Sequence, residues 1–164
     1  MLKDKKIIAV IPARGGSKSI PKKNIVDLGG FPLIAYSIAA GKLSNIISRI
    51  IVSTDSEEIA KVARKYGAEV PFLRPAEFAT HTAGDYGVFK HVIGWLKENE
   101  NYQPEYLVHL RPTTPLRDPE LVDKGIEEII KHPEATSLRS GYELRESPHK
   151  CFTIENGFFV GLFP

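Results

Sequence analysis

The sequence predicts an α/β protein with a Rossmann-like, three-layer α/β/α fold, in which helices cover both faces of a mostly parallel sheet. Short apolar stretches and stretches of helical periodicity alternate four times between residues 7 and 132, and such alternation is typical of βαβ units. The first apolar stretch, residues 7–11, is continuous, as in a strand buried on both faces. Two polar loops, residues 14–24 and 111–117, follow predicted strands, and ligands bind at this edge of parallel sheets.

The predicted strands are short and mostly rich in Ile, Val or Leu. Pro71 cannot donate a ladder hydrogen bond, so its strand is expected near an edge. Asn156 and Gly157 separate two further short segments and form a strong hairpin signal. The sequence therefore predicts strands at residues 7–11, 49–53, 69–72, 106–110 and 135–139, and a hairpin over residues 151–160.

Helix starts are marked by residues that suit the first turn. Pro32 fits the beginning of the first helix, and Asp118 followed by Pro119 fits the beginning of the last. Asp55 with Glu58 three residues later reads as a capping box for the second helix, although the same aspartate at a strand end could instead line a pocket. A third helix covers residues 85–96, with His91 packed on its apolar stripe.

Length, composition and charge limit the kinds of function that the chain can have. The 164 residues suit one domain, and 42% hydrophobic and 26% charged residues are ordinary for a globular protein. A net charge of +2 is too small to indicate a nucleic-acid partner, and no apolar run is long enough for a membrane span. Cys151 is the only cysteine, which is compatible with the reducing cytoplasm, and no export signal is apparent. We therefore expect a cytoplasmic protein.

The loop after the first strand is the strongest candidate for a binding site. It carries four cations within ten residues, Arg14, Lys18, Lys22 and Lys23, and no acidic residue. Two glycines between them give the backbone unusual freedom, and successive N–H groups in such turns can hold an anion. The loop lacks both the P-loop pattern and the dinucleotide fingerprint. It predicts a polyphosphate site, with an ordinary turn bearing solvated cations as the alternative.

The segment ARGGSKSIPKKNI, residues 13–25, closely resembles the nucleotide-binding loop of the acylneuraminate cytidylyltransferases, the CMP-sialic acid synthetases. The resemblance covers nearly the whole chain and extends to residues 52–55, 74–77 and 112–117. It implies a fold of the nucleotide-diphospho-sugar transferase type. It also implies that CTP is joined to a nonulosonic acid with release of pyrophosphate, with Mg²⁺ as cofactor and a homodimer as the assembly.

The resemblance also implies roles for single residues of the loop. Lys23 and Arg14 are the predicted catalytic residues, with Lys23 stabilising charge at the α-phosphate. Phosphates and the rest of the nucleotide are expected to contact the loop through Ala13, Arg14, Gly15, Gly16, Ser17, Lys18 and Asn24.

Three further nucleotide-binding residues come from two other loops. Arg74 and Thr82 belong to a segment that closes over the cytidine in the resembled family. Arg111 stands where that family has glutamine. A guanidinium cannot act as the acceptor that an amide oxygen provides, so we expect Arg111 to bind phosphate or carboxylate. A proline-stiffened turn is the alternative for residues 111–117.

Three other functions stay open from the sequence. The acceptor could be Kdo, or another nucleotide could be transferred to a sugar phosphate, and the chain could also be a nucleotide-binding module without catalysis. Chains of the resembled family usually continue for about sixty residues and carry there a sugar-binding arginine and the aspartates that hold magnesium. We therefore expect residues 1–164 to form a single nucleotidyltransferase domain that lacks its C-terminal segment, and no magnesium ligand is predicted within it.

Overall fold

The fold was analysed in a computed structural model that describes residues 5–17, 20–141 and 152–161. Two of the predicted positions, Lys18 and Cys151, lie outside the described residues. Contacts divide the chain into two units, one that ends at His132 and one that begins at Pro133. The first unit holds the parallel sheet with its helices, and the second holds a hairpin.

The sheet of the first unit is parallel and consists of β1 (Ile7–Pro12), β4 (Arg49–Ser53) and β5 (Tyr106–His109). The order of the strands across the sheet is β4-β1-β5. Ile8 pairs with Arg49 on one side and with Leu107 on the other. Residues 7–11 are completely buried, as the continuous apolar run predicted for a strand covered on both faces.

A small antiparallel pair, β2 (Asp27–Leu28) and β3 (Phe31–Pro32), precedes the first helix. Between its strands lie Gly29 and Gly30, with φ of 62° and 92°, a backbone region that suits glycine. The four helices of the first unit are α1 (Leu33–Leu43), α2 (Glu57–Lys65), α3 (Asp85–Glu100) and α4 (Pro119–Lys131).

Side chains of β1 alternate between two apolar cores, which confirms the three-layer prediction. Ala9 and Ile11 belong to the core that is built with residues of α1 and α2. Ile8 and Val10 belong to the other core, which is built with Val92 and other residues of α3. The sheet is therefore covered by helices on both faces, and β1 contributes to both cores.

The predicted strand at residues 69–72 is reduced to a single bridge between Glu69 and Ile51. The Glu69 N–H donates to the Ile50 carbonyl at 2.8 Å, and the Glu69 carbonyl accepts from the Val52 N–H at 2.9 Å. Pro71 has no N–H with which to continue this ladder. The chain leaves the sheet there, and Phe72 packs against the core on the α3 side.

Three local predictions have clear outcomes. Asp118 caps α4, since its carboxylate accepts the Glu120 N–H at 2.9 Å. The predicted strand at residues 135–139 is wrong, because these residues are exposed and pair with no strand among the described residues. His91 is packed as expected, with the Phe72 ring 4.6 Å and the Phe78 ring 5.5 Å away, and burial lowers its pKa.

The second unit contains the predicted hairpin, formed by β6 (Phe152–Glu155) and β7 (Phe158–Gly161). Asn156 and Gly157 have φ of 51° and 83° in its turn, as a type I′ turn requires at both central residues. Among the residues that the structure describes, no helix combines the length and apolar composition needed to cross a membrane.

Gly41 brings α1 close to the sheet. A Cβ at this position would lie 3.0 Å from Cγ1 of Ile50 and 3.4 Å from Cδ1 of Leu110. We expect Gly41→Leu to lower the free energy of unfolding by about 1–3 kcal/mol, because the added side chain overpacks this contact. Urea denaturation measures the change.

The matched control is Gly94→Ala on α3, where a Cβ would meet no described atom within 4 Å. This change should raise the free energy of unfolding by up to about 1 kcal/mol through helix propensity. Equal effects of the two substitutions would contradict the close packing of α1 on the sheet.

Candidate functional site

A cleft of about 380 Å³ lies where β1 and β5 end at their carboxyl termini. Its wall is formed by three parts of the first unit: the loop after β1, residues 74–88, and residues 109–113 after β5. Both loops that the sequence placed at strand ends therefore border one cavity. Five residues of the first loop line it: Arg14, Gly16, Ser17, Lys23 and Asn24.

The glycine turn is held by an aspartate of the neighbouring strand end. Oδ1 of Asp55 accepts the Gly15 N–H at 2.7 Å. A Cβ on Gly15 would lie 3.1 Å from Cβ of Ser56, so glycine permits this close approach. At Gly16 a Cβ would meet no described atom within 4 Å, which leaves space for a ligand beside the backbone.

The predicted capping role of Asp55 is wrong. The N-cap of α2 is Ser56, whose hydroxyl accepts the Ile59 N–H at 3.4 Å. The alternative that placed Asp55 at the wall of a pocket is closer to the structure, since its carboxylate bonds to the loop that lines the cleft. Because α2 begins one residue later than the capping box predicted, the Asp55 carboxylate holds the loop and does not cap the helix.

Asn24 and Arg14 tie the loop to itself and to the opposite wall. Asn24 is buried, and its side-chain amide donates to the Arg14 carbonyl at 2.9 Å. Nη1 of Arg14 donates to the Thr80 carbonyl at 2.7 Å. A guanidinium has five N–H donors, so this bond leaves most of them for a ligand in the cleft.

The two neighbouring lysines of the loop have different surroundings. Lys22 adopts a left-handed backbone, with φ of 51°, and its Nζ lies 2.8 Å from the carboxylate of Glu58 on α2. Lys23 lines the cleft instead. The chain therefore supplies one lysine that faces the candidate site and one adjacent lysine that is paired away from it.

Arg74 is buried, and its guanidinium is used within the protein. Nε donates to the Ser53 hydroxyl at 3.0 Å, Nη1 donates to the Phe78 carbonyl at 3.3 Å, and Nη2 donates to the Ser53 carbonyl. Burial lowers the pKa of this guanidinium, while the charges of Asp55 and Asp85 oppose that change. These bonds hold residues 74–78 against the end of β4.

Two other predicted positions differ in how they meet the cleft. Ala13 is buried, and its N–H donates to the Ser53 carbonyl at 2.9 Å, so it extends the pairing of β1. Thr82 is exposed, and its hydroxyl lies 3.3 Å from that of Thr80. Thr80 lines the cleft, whereas Thr82 is not among the lining residues.

Arg111 lines the cleft and already binds a carboxylate. Its Nη2 lies 2.7 Å from Oδ2 of Asp85, at the start of α3. His109, the last residue of β5, also faces this carboxylate, with Nε2 3.9 Å from the same oxygen. Burial lowers the pKa of His109, Asp85 acts to raise it, and Arg111 and Arg117 lower it further.

The sequence did not indicate His109 as a site residue. Asp85 was placed near the start of a helix and was considered as a catalytic carboxylate only if such carboxylates lay within residues 1–164. Residues 78–81 belong to the segment expected to close over the cytidine, but no contact was assigned to any of them. His109 had a usable signal, because it ends a parallel strand directly before a predicted loop, at the edge where ligands bind.

The described residues contain no cluster of metal ligands. Among residues 5–17, 20–141 and 152–161, no group of three His, Cys, Asp or Glu side chains is arranged to hold a metal ion. Asp85 is the acidic residue that lines the cleft, and it is paired with Arg111. Mg²⁺ is often bound by few protein carboxylates together with substrate phosphates and water.

Comparison with known families gives a match along most of the chain. A family model described as cytidylyltransferase matches residues 8–154. The pseudaminic acid cytidylyltransferase of Campylobacter jejuni is 39% identical over 158 residues, which are 96% of this chain and 67% of that protein. The CMP-N,N'-diacetyllegionaminic acid synthase of Legionella pneumophila is 42% identical over 151 residues, 92% of this chain and 64% of that protein.

Solved structures share the fold at lower identity. A CMP-2-keto-3-deoxy-manno-octonic acid synthetase complexed with CTP superposes with a TM-score of 0.64 at 20% identity, over 79% of this chain and 49% of that one. A cytidylyltransferase from Leptospira borgpetersenii gives a TM-score of 0.60 at 21% identity, over 77% and 50% of the two chains. This chain spans about two thirds of the two relatives named above.

Because the guanidinium of Arg74 is used for buried hydrogen bonds within the protein, we expect its replacement to lower the stability of the fold. We expect Arg74→Lys to reduce the free energy of unfolding by about 1.5–3 kcal/mol, because an ammonium cannot reach Ser53 and Phe78 together. Urea denaturation measures this loss, with the exposed Arg139→Lys as the control that should remain near wild type. Unchanged stability with lost CTP affinity would contradict the structural role of Arg74.

Proposed function

Because this chain belongs to the cytidylyltransferase family, we propose that it binds CTP in the cleft and transfers the cytidylyl group to a nonulosonic acid. The hydroxyl of the sugar acid attacks the α-phosphorus, a new P–O bond forms, and the bond to pyrophosphate breaks while the hydroxyl proton is lost. The observation that carries the proposal is the glycine loop, held at the cleft by Asp55 with Arg14 and Lys23 at its wall.

Positioning and charge neutralisation account for most of the chemistry that such a transfer needs. Lys23 is proposed to lie at the α-phosphate and to stabilise the charge that grows there. Arg14 and Ser17 are proposed to hold the other phosphates together with the backbone of Gly16. The predicted contact from Gly15 has less support, because its N–H donates to Asp55 and it does not line the cleft. The contacts of Asn24 support a role in shaping the loop, since its amide holds the Arg14 carbonyl.

The remaining predictions stay part of the proposal. Arg111 is proposed to take an anionic group, and Lys18 to bind phosphate. The buried bonds of Arg74 support a role in holding the cleft wall beneath the nucleotide, whereas a contact from Thr82 has less support because it is not a lining residue. Magnesium carried by the nucleotide phosphates, a homodimer and a cytoplasmic location are also proposed from the resemblance.

The acceptor class rests on the relatives. Two relatives that match nearly the whole chain at about 40% identity are named for pseudaminic and diacetyllegionaminic acid. The structural match to an enzyme named for the related eight-carbon acid has only 20% identity and shows the fold alone. A nonulosonic acid is therefore favoured over Kdo.

A pyrophosphate-release assay with CTP tests the function. Pseudaminic, diacetyllegionaminic and N-acetylneuraminic acids are compared with Kdo, and UTP replaces CTP as the nucleotide control. Release with a nonulosonic acid and CTP supports the proposal. Release with Kdo alone favours the alternative acceptor, and CTP binding in calorimetry without release from any acid favours a binding module.

Lys23 and Lys22 give a matched pair for the proposed catalytic role. Lys23→Ala should lower kcat by a factor on the order of 10²–10³, and it should change the KM for CTP much less, because its charge acts on the transition state. Lys22→Ala removes the same charge one residue away and breaks only an exposed pair with Glu58, so its effect should be small. Equal losses of kcat would indicate a general electrostatic effect of the loop.

A further inference from the structure

Two side chains at the end of β5 and just after it approach one carboxylate oxygen at the start of α3. Oδ2 of Asp85 lies 2.7 Å from Nη2 of Arg111 and 3.9 Å from Nε2 of His109. Asp85 and Arg111 therefore form an ion pair, whereas the distance from Asp85 to His109 is too long for a hydrogen bond. His109 Nε2 is buried and has no hydrogen-bond partner among the described residues, although buried polar atoms are normally paired.

The backbone of Arg111 is held by two hydrogen bonds, whereas its side chain is largely exposed. Its carbonyl accepts from the Ser37 hydroxyl at 3.1 Å and from Nη2 of Arg117 at 3.3 Å. Its side chain is 61% exposed, and that of Asp85 is 41% exposed. Ion pairs at such exposure are weak, so a more highly charged or better oriented anion in the cleft can replace Asp85 as the partner of Arg111.

Loss of Arg111 would leave Asp85 with an uncompensated charge beside His109. His109 is held in reach of that carboxylate by its place on β5 and by edge-on packing against Phe89 on α3, with 4.8 Å between ring centroids. Protonation would make the imidazole a donor from both nitrogens. Its Nε2–H would then donate to the Asp85 carboxylate, so that both groups would have a partner.

We infer that Arg111 is an anchor for an anionic group of the substrates, that Asp85 is the partner of Arg111 until such an anion binds, and that Asp85 then pairs with His109 instead. The anion is a phosphate of the nucleotide or the carboxylate of the sugar acid, which share the same chemistry toward a guanidinium. The inference rests on the proposed function for the identity of the ligand, but the exchange itself concerns groups of this chain.

The direction of the coupling follows from the charges that face His109. Burial lowers the pKa of His109, Arg111 and Arg117 lower it further, and Asp85 opposes this, so the imidazole is neutral near pH 7 while Asp85 is paired with Arg111. When an anion neutralises Arg111, one of the lowering contributions is lost while burial, Arg117 and the opposing effect of Asp85 remain, so the pKa of His109 rises relative to its value with Asp85 paired to Arg111. Anion binding therefore takes up a proton and strengthens as the pH falls through the range in which His109 titrates.

The first experiment needs no ligand. NMR titration of the His109 imidazole, assigned by its loss in His109→Gln, measures the pKa in wild type, Arg111→Gln, Asp85→Asn and the double variant. Arg111→Gln should raise the pKa by about one unit, because it frees Asp85, whereas Arg111→Lys keeps the charge and should stay near wild type. Asp85→Asn should lower the pKa.

The double variant decides the route of the effect. If Asp85 carries the coupling, Arg111→Gln should raise the pKa much less when Asp85→Asn is already present. An equal rise in both backgrounds, or no rise with Arg111→Gln alone, would overturn the exchange. Arg111 and Asp85 are partly exposed, and a retained wild-type spectrum elsewhere confirms that each variant is folded.

The second experiment identifies the anion. Calorimetry in buffers of different ionisation enthalpy counts the protons taken up when CTP or N-acetylneuraminate binds, and the difference between wild type and His109→Gln is the share of His109. A one-unit rise predicts about half a proton at a pH midway between the free and bound pKa values. His81→Gln is the control for the exposed histidine that also lines the cleft.

The ligand that shows this difference is the one that uses Arg111. A difference with CTP assigns a phosphate to the anchor, and a difference with the sugar acid assigns the carboxylate. If neither ligand shows it although both bind, the anchor role is wrong. If CTP does not bind at all, the proposed function fails, and the NMR cycle still reports whether the exchange exists.

Discussion

β1 is paired in parallel on both edges and buried on both faces, and this position constrains everything at the candidate site. A strand enclosed in this way can reach solvent only at its ends, so the loop that follows it must leave over the carboxyl edge of the sheet. β4 and β5 run in the same direction, and the segments after them leave at the same edge. The cleft is the space between these segments.

The carbonyl of Ser53 links two segments at this edge of the sheet. It accepts the N–H of Ala13, which prolongs β1, and the guanidinium of Arg74, which fixes the next part of the wall. Asp55, two residues later, holds Gly15. The end of β4 therefore positions two walls of the cleft through groups that need not touch a ligand, and the cations Arg14 and Lys23 are left at the cavity surface.

Periodicity was sufficient for the parts of the fold whose reasons are local. The continuous apolar run predicted the buried strand, and Asp118 with Pro119 predicted the start of α4, because a cap depends on neighbours in sequence. The strand expected at residues 135–139 depended on a pairing partner, which periodicity cannot supply. Asp55 and Arg74 were misread or only partly understood because their partners, Gly15 and Ser53, are about 20–40 residues away.

The part of the candidate site that the sequence predicted is the part that belongs to a recognisable loop motif. Residues 13–25 were recognised together, and most of the described ones line or support the cleft. The pair of Asp85 and His109 was not found, since neither residue belongs to a motif and their meeting depends on the packing of α3 over β5. The cytidylyltransferase family match explains the loop, but it says nothing about an imidazole left without a partner.

The distances in sequence between the paired strands also bear on how the molecule assembles. Ile8 pairs with Arg49, about 40 residues away, and with Leu107, about 100 residues away. Closing the longer loop costs more chain entropy and slows folding, so β1, α1 and β4 can associate before β5 arrives. A nascent chain would then possess the glycine loop with its aspartate support while the wall that carries Arg111 is still missing. A ligand that contacts both walls would bind only after β5 has joined the sheet. Its binding would therefore show that the fold is complete.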